Sequence, residues 1–238
     1  MKYLVSNLKA NFTLNDMEVY LKALENIDTS KVNLIVCPSA LYLYLFKDAK
    51  FGLGAQDVSV YPKGAYTGEI TAKQFSSMGC KYAIIGHYER KKYFFDSDRI
   101  IIDKIRNCLD NHMKVIFCVG ESINDLRNEE VLSSLETQIA NVLNSFSEED
   151  LKNIIIAYEP VWAIGTQQMP TTKAIISTVK FIRKIIKSYY CIDMDVLYGG
   201  SISEENINAV KDIKEIDGIV IGASSLNVNA IINIINKL

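Results

Sequence analysis

The sequence is short of several residue types that often mark function. It has four prolines, one tryptophan and two histidines in 238 residues, and its five cysteines include no CxxC pair. An odd cysteine count without paired spacing argues against both a disulfide framework and a zinc site. We therefore expect a cytoplasmic protein with reduced, buried thiols at Cys37, Cys80, Cys108, Cys118 and Cys191.

The chain also lacks a strong charge imbalance and any long apolar run. Its net charge is −2 at pH 7, although 49% of its residues are hydrophobic. That charge offers no basic face to nucleic acid or anionic lipid. No stretch approaches the roughly 18 apolar residues of a membrane span, and the opening MKYLVSNLKANF is too polar for a signal peptide. We expect neither nucleic acid nor membrane as a partner.

Short apolar runs instead alternate with longer, helix-periodic segments. Near-continuous apolar runs, typical of parallel strands buried on both faces, cover 2–6, 33–37, 51–55, 82–86, 114–119, 153–158, 195–199 and 218–222. Helical periodicity covers 15–24, 97–109, 125–143, 171–189, 203–213 and 225–235, with Ser97 as an N-cap.

Eight strand–helix units without a linker predict a single α/β domain over residues 1–238. That number of units closes a (β/α)8 barrel. An open, doubly wound sheet has the same periodicity. Such a sheet usually carries GxGxxG after its first strand, whereas VSNLKANF contains no glycine.

Polar residues gather where the predicted strands end. The motifs SNLKAN, GHYERK and AYEPVWAIGT follow the first, fourth and sixth strands, and the glycine-containing turns YGGSIS and IGASS follow the last two. Each motif alone could be ordinary surface or a simple turn. Together they supply a cation, an imidazole, a carboxylate and an anion cradle. This set suits proton abstraction next to a carbonyl, and no spacing indicates a metal or another cofactor.

Six motifs, in order along essentially the whole chain, resemble the triosephosphate isomerase family. They are SNLKAN, GAYTGEIT, IIGHYERK, AYEPVWAIGT, YGGSI and DGIVIGASSL. The resemblance implies a TIM barrel and a cofactor-free aldose–ketose isomerase of glycolysis and gluconeogenesis, acting on a triose phosphate. Two alternatives are another phosphate-binding barrel enzyme, which would lack AYEPVWAIGT, and a barrel of this family that has lost catalysis and serves as a binding or structural dimer.

The resemblance also implies roles for individual residues. Glu159 would be the base that moves a proton between C1 and C2, and His87 the electrophile at the substrate oxygens. Lys9 would supply positive charge. Asn7 would orient Lys9 and the substrate, and Glu89 would lie behind Lys9 and His87. The family pattern places the phosphate on backbone N–H groups of Gly165, Ser201, Gly222 and Ala223.

Two loops follow from the same resemblance. A mobile lid would begin with Pro160, Val161, Trp162, Ala163, Ile164, Gly165 and Thr166 and run to about Thr171. The polar stretch over 56–71 would insert into a neighbouring subunit with Thr67 at its tip. The chain would then be a homodimer in which the inserted loop supports Asn7 and Lys9.

Four positions depart from the family pattern. Leu8 replaces a tryptophan behind the site, and QQMPT replaces Gly-Lys and a small residue in the lid, which predicts altered lid kinetics. Ala223 replaces a glycine and is unstrained only if its φ is negative. Tyr88 replaces a serine that can contact the glutamate in the family, so we expect a different resting position for Glu159 with activity retained.

Overall fold

The computed structural model describes residues 2–166 and 168–238, and it excludes the side chain of Lys2. Eight parallel strands form a closed barrel in chain order. They are β1 (Lys2–Asn7), β2 (Val32–Cys37), β3 (Gly52–Ala55), β4 (Tyr82–Ile85), β5 (Lys114–Val119), β6 (Ile154–Tyr158), β7 (Val196–Tyr198) and β8 (Gly218–Ile221). β8 pairs in parallel with β1, Gly218 lying opposite Tyr3. This closure confirms the predicted barrel and rules out the open sheet.

Helices connect the strands around the outside. They are α1 (Leu14–Leu24), α2 (Ala72–Ser77), α3 (Tyr88–Tyr93), α4 (Asp98–Asp110), α5 (Ile123–Arg127), α6 (Val131–Leu143), α7 (Glu148–Leu151), α8 (Thr172–Tyr190) and α9 (Val228–Lys237), with 3-10 turns at Ala40–Phe46, Val161–Ala163, Ile207–Ala209 and Ala223–Leu226. The hydroxyl of Ser97 accepts a hydrogen bond from the backbone N–H of Ile100, as predicted for the N-cap of α4.

Three predicted helices differ from the structure. The segment 125–143 is divided into α5 and α6 because Glu129 adopts a left-handed φ of 60°. The segment 203–213 contains only the turn Ile207–Ala209. There the side chain of Asn206 accepts from Ser203 N at 2.8 Å and donates to Ser201 O at 2.9 Å, so side-chain bonds compete with helical backbone bonds. The last helix begins at Val228 instead of residue 225 because Asn227 caps it.

The core has two layers because each strand is covered on both faces. Val5, Ile84 and Ile116 belong to the cluster inside the barrel, whereas Leu4 belongs to the cluster between strands and helices. Burial on both faces explains why the strands contain near-continuous apolar runs rather than alternating ones. The packed interior gives the loops at the strand ends a rigid base.

The thiols largely match their prediction. Cys37, Cys80, Cys108 and Cys118 are buried and unpaired. Cys191 is exposed, so the expectation of burial is wrong there. It lies at the C-terminal cap of α8 with a left-handed φ of 57°, where the chain leaves the helix at the surface. Among the described residues, no helix is long and apolar enough to cross a membrane.

Candidate active site

A cavity of about 600 Å³ lies at the carboxyl ends of the strands. Most of the predicted site residues line it: Asn7, Lys9, His87, Tyr88, Glu89, Glu159, Ile164, Gly165, Ser201, Gly222 and Ala223. Predicted residues outside the lining are Thr67, Pro160, Val161, Trp162, Ala163 and Thr166. The fold therefore brings the residues that follow β1, β4, β6, β7 and β8 together at one end of the barrel. This is expected because all strands of a closed parallel barrel end on the same side.

Lys9 enters this cavity from a strained loop. Its φ is 52°, a left-handed value that costs a non-glycine residue roughly 1–3 kcal/mol. Hydrogen bonds hold it: Lys9 N donates to Asn7 Oδ1 at 3.1 Å, and Gln56 Nε2 donates to Lys9 O at 2.8 Å. The ammonium lies 2.5 Å from Glu89 Oε1. Sequence reasoning missed the role of Gln56, which directly follows β3 and also binds Cys37 O at 2.9 Å.

His87 follows β4 and caps the start of α3. Its Nδ1 accepts a hydrogen bond from the backbone N–H of Glu89 at 3.3 Å. Because an accepting nitrogen carries a lone pair, the neutral ring holds its hydrogen on Nε2. Nε2 is 3.5 Å from Glu159 Oε2. The imidazole thus presents an N–H donor to the cavity beside the carboxylate.

Glu159 directly follows β6 and is only 3% exposed. Its Oε2 has no hydrogen-bond partner within the described parts of the chain. Burial raises the pKa of this carboxyl, and the positive charges of His87 when protonated, of Lys9 and of Lys91 act in the opposite direction. A Cβ atom at Gly199 would lie 2.7 Å from the Cγ of Glu159, so the carboxylate needs glycine at that position. A buried carboxylate with a raised pKa is a stronger base than one in water.

Glu121 holds the start of the predicted lid. Val161 N donates to Glu121 O at 2.9 Å, and Trp162 Nε1 donates to Glu121 Oε1 at 2.8 Å. The hydroxyl of Tyr158 reaches the same oxygen at 3.3 Å. Glu121 was not predicted from the sequence; its only signal is a carboxylate placed just after a buried strand.

The tip of the predicted lid is more exposed. Gly165 is exposed with a φ of 73°, a conformation that glycine adopts without a steric penalty. Residue 167, the first of the predicted QQMPT departure, lies outside the described residues. Met169, from the same stretch, packs partly buried against the outer core. The predicted effect on lid kinetics stays a prediction.

Two turns form the candidate phosphate cradle. Ser201 has a left-handed φ of 48°, and its hydroxyl donates to Ala163 O in the lid. Ala223 opens the 3-10 turn after β8 and does not have a positive φ, so alanine is accommodated there without strain. A Cβ atom built on Gly222 would lie 3.9 Å from the Nζ of Lys9. A cation and two backbone turns therefore converge on one end of the cavity.

The remaining departures lie close to the predicted catalytic residues. Leu8 is fully buried behind the site. Tyr88 is half-buried, with its ring 5.3 Å from the ring of His87. Across the described residues we find no hydrogen bond between Tyr88 and Glu159, whose side chain lies instead against His87 and Gly199. The effect of Tyr88 on the resting position of Glu159 is therefore open to the kinetic test below.

Comparison with known proteins agrees with this geometry. The family model described as Triosephosphate isomerase matches residues 2–238. A Triosephosphate isomerase of Francisella tularensis subsp. holarctica is 34% identical over 100% of this chain and 98% of its own length. One of Ruthia magnifica subsp. Calyptogena magnifica is 39% identical over 82% of each chain. The chain belongs to the triosephosphate isomerase family.

Proposed function

We propose that this protein interconverts dihydroxyacetone phosphate and D-glyceraldehyde 3-phosphate by proton transfer through an enediolate, without a cofactor. The observation that carries the proposal is the 3.5 Å separation of Glu159 Oε2 and His87 Nε2 in a cavity that also holds Lys9. A base and a hydrogen-bond donor side by side suit a substrate whose carbon and oxygen must exchange protons together. Family membership supports the identity of the triose phosphate.

Glu159 would remove the proton from C1 of dihydroxyacetone phosphate and return it to C2. Its lack of hydrogen bonds at Oε2 leaves that oxygen free to accept the proton. The raised pKa of Glu159 reduces the difference between the pKa of the base and that of the weakly acidic C–H group of the substrate. A smaller difference favours proton transfer at neutral pH.

His87 and Lys9 would stabilise the charge that develops on oxygen. The Nε2–H of His87 can donate to the carbonyl oxygen and then move protons between the two enediolate oxygens. A neutral imidazole in this role is the well-known pattern of the family, and the hydrogen bond from Glu89 N to Nδ1 fits it. Lys9, fixed by Glu89 and by its strained backbone, places a positive charge near the enediolate and the phosphate.

The phosphate would bind the backbone N–H groups of Gly165, Ser201, Gly222 and Ala223, with Asn7 orienting Lys9. The lid would close over the bound substrate and exclude water, which limits escape and breakdown of the enediolate. The hydroxyl of Ser201 already joins the cradle to the lid through Ala163 O. Binding of phosphate and position of the lid are thus coupled through one residue.

The homodimer and the cytoplasmic location belong to the same proposal. Residues 61–70 are all exposed, and Thr67 lies in a groove with Arg90 and Asp96 near the end of α3. Phe95, just beyond α3, is 81% exposed. A second copy of the chain covering this face would bury these residues. The loop that carries Thr67 would then reach the site of the second copy. The glycolytic role of the family and the unpaired buried thiols support a reducing cytoplasm.

A coupled assay that follows glyceraldehyde 3-phosphate formation tests the function. Purified wild-type protein should turn over dihydroxyacetone phosphate, and Glu159→Asp should lower kcat by about 100-fold because the base retreats by roughly 1 Å. Glu18→Asp, an exposed position on α1, is the matched control and should behave as wild type. No turnover by the wild type would favour the catalytically impaired barrel, and full activity of Glu159→Asp would exclude Glu159 as the base.

A further inference from the structure

We propose that Lys91 and Gln138 are positioning residues for Glu159. They form a clamp on residues 118–120, at the end of β5 and just beyond it, which support the backbone of Glu159. The clamp also ties that support to α3, the helix that His87 caps. Its effect on turnover rests on the proposed function, but its effect on Glu159 can be measured without turnover.

Lys91 is an unusual lysine. It lies on α3, four positions after His87, and is half-buried with its ammonium turned toward the barrel. Its Nζ donates to Cys118 O at 3.2 Å, lies 3.5 Å from Gln138 Oε1, and stands 5.9 Å from the ring centroid of Phe117. In the regions the structure describes, Lys91 forms no ion pair. A partly desolvated ammonium held only by neutral acceptors is costly, so a lysine in this place calls for a specific use.

Gln138 completes the clamp from α6. Its Oε1 accepts from Gly120 N at 3.3 Å, and its Nε2 donates to Gly120 O at 3.1 Å. A further bond to Ser134 Oγ at 3.2 Å fixes the amide itself. Both backbone polar groups of Gly120 are therefore held by one side chain, and that side chain is in turn next to the ammonium of Lys91.

Gly120 lies directly against the catalytic residue. A Cβ atom at Gly120 would be 1.8 Å from the carbonyl oxygen of Glu159, so no larger residue fits. Glu159 N donates to Val119 O at 2.8 Å. The backbone of Glu159 thus rests on residues 118–120. Lys91 holds residue 118 and Gln138 holds residue 120. The clamp therefore fixes the backbone position from which the Glu159 carboxylate extends into the cavity.

The charge of Lys91 adds a second link. Burial lowers the pKa of Lys91, opposed by Cys118, Asp98 and Glu159. Burial raises the pKa of Glu159, with His87, Lys9, Cys118 and Lys91 acting to lower it. Removing the ammonium of Lys91 should therefore change both the position and the pKa of the Glu159 carboxylate. Removing only the amide of Gln138 should change mainly the position of that carboxylate.

Lys91→Met tests the clamp because it keeps the apolar stem and removes the charge and donors. We expect kcat to fall by about 10- to 100-fold with KM changed by less than about threefold, since misplacement of a base by a fraction of 1 Å acts mainly on the chemical step. Gln138→Leu should lower kcat in the same way, and Lys91→Arg should recover most of the loss. Lys92→Met, at the exposed neighbouring position of α3, is the matched control.

The second measurement is carbon-13 NMR of the Glu159 carboxyl, which needs no turnover. Its titration midpoint should move to higher pH in Lys91→Met and stay in place in Lys92→Met and Lys91→Arg. If folded Lys91→Met has an unchanged Glu159 midpoint and wild-type kcat, the clamp is overturned. If the wild type is inactive but the Glu159 midpoint still moves to higher pH in Lys91→Met, only the proposed function is overturned. If Lys91→Met does not fold, Gln138→Asn takes its place, because it keeps the amide on a shorter side chain. A fall in kcat of about 10- to 100-fold then supports the clamp, and wild-type kcat overturns it.

Discussion

Replacing Glu159 by glutamine should abolish turnover and make the protein more stable at neutral and alkaline pH. The carboxylate is 3% exposed, and its Oε2 lacks a hydrogen-bond partner in the part of the chain described. If Glu159 is the base, as proposed, its position serves the reaction at the expense of the fold. The amide has a similar shape and no charge to desolvate.

The expected gain follows from the unsatisfied oxygen. A buried polar group without a partner costs about 1–3 kcal/mol, and more if charged. The glutamine amide also leaves a hydrogen-bonding group unmatched beside His87, so the net gain should lie near the lower end, about 1–2 kcal/mol above the pKa of the folded carboxyl.

The direction of the Glu159 pKa shift determines how the stability difference between wild type and Glu159→Gln changes with pH. Burial raises the pKa of Glu159 in the folded state above its unfolded value of about 4.3. The folded wild type therefore binds more protons than the unfolded chain between these two pKa values, and its stability falls as pH rises through that window. The advantage of Glu159→Gln should be small below about pH 4.3 and reach its full size above the folded pKa.

Urea unfolding at several pH values, at one fixed protein concentration, measures this difference. The concentration must be fixed because association would contribute to apparent stability. Glu18→Gln, exposed on α1, is the control and should shift the unfolding free energy by less than about 0.5 kcal/mol throughout. A difference between wild type and Glu159→Gln that does not grow as the pH rises from below about 4.3 to about 8 would refute the reasoning.

Three further substitutions probe the surroundings of the base. Gly199→Ala would place a Cβ atom 2.7 Å from Glu159 Cγ and should lower kcat by about 10- to 100-fold, with retained activity counting against the observed packing. Tyr88→Ser should change kcat/KM by less than about 100-fold, or 2.7 kcal/mol; a larger change in the coupled assay would show that Tyr88 acts directly. Trp162→Phe removes the 2.8 Å bond to buried Glu121 and should lower the unfolding free energy by about 1–3 kcal/mol in urea titrations, and an unchanged midpoint would mean that water replaces the indole.

Local patterns predicted the strands well because each strand needs its own apolar run. All eight predicted runs overlap the observed strands, and β5 has the predicted bounds. Helix prediction failed where a single residue overrode periodicity. Glu129, with its left-handed φ, divides one predicted helix, and the side-chain bonds of Asn206 accompany the replacement of another by a 3-10 turn.

The supporting contacts of the site were not predictable in the same way. Gln56, Glu121 and Gln138 come from separate connections, and each acts on a backbone group or side chain that is distant in sequence. Isolated polar residues like these carry no periodic signal. Their partners are known only once the strands close.

The sequence by itself determined the barrel and the family, because strand order and short motifs are local properties of the chain. It also predicted Lys9, His87 and Glu159 as the reactive side chains. Only the tertiary structure decided that Lys9 sits on a strained backbone, that His87 presents Nε2–H, and that Glu159 lies buried without a partner at Oε2. The physical reason is that hydrogen-bond geometry, desolvation and close approach depend on which strand ends meet, and closure of β8 onto β1 sets this for the whole barrel at once.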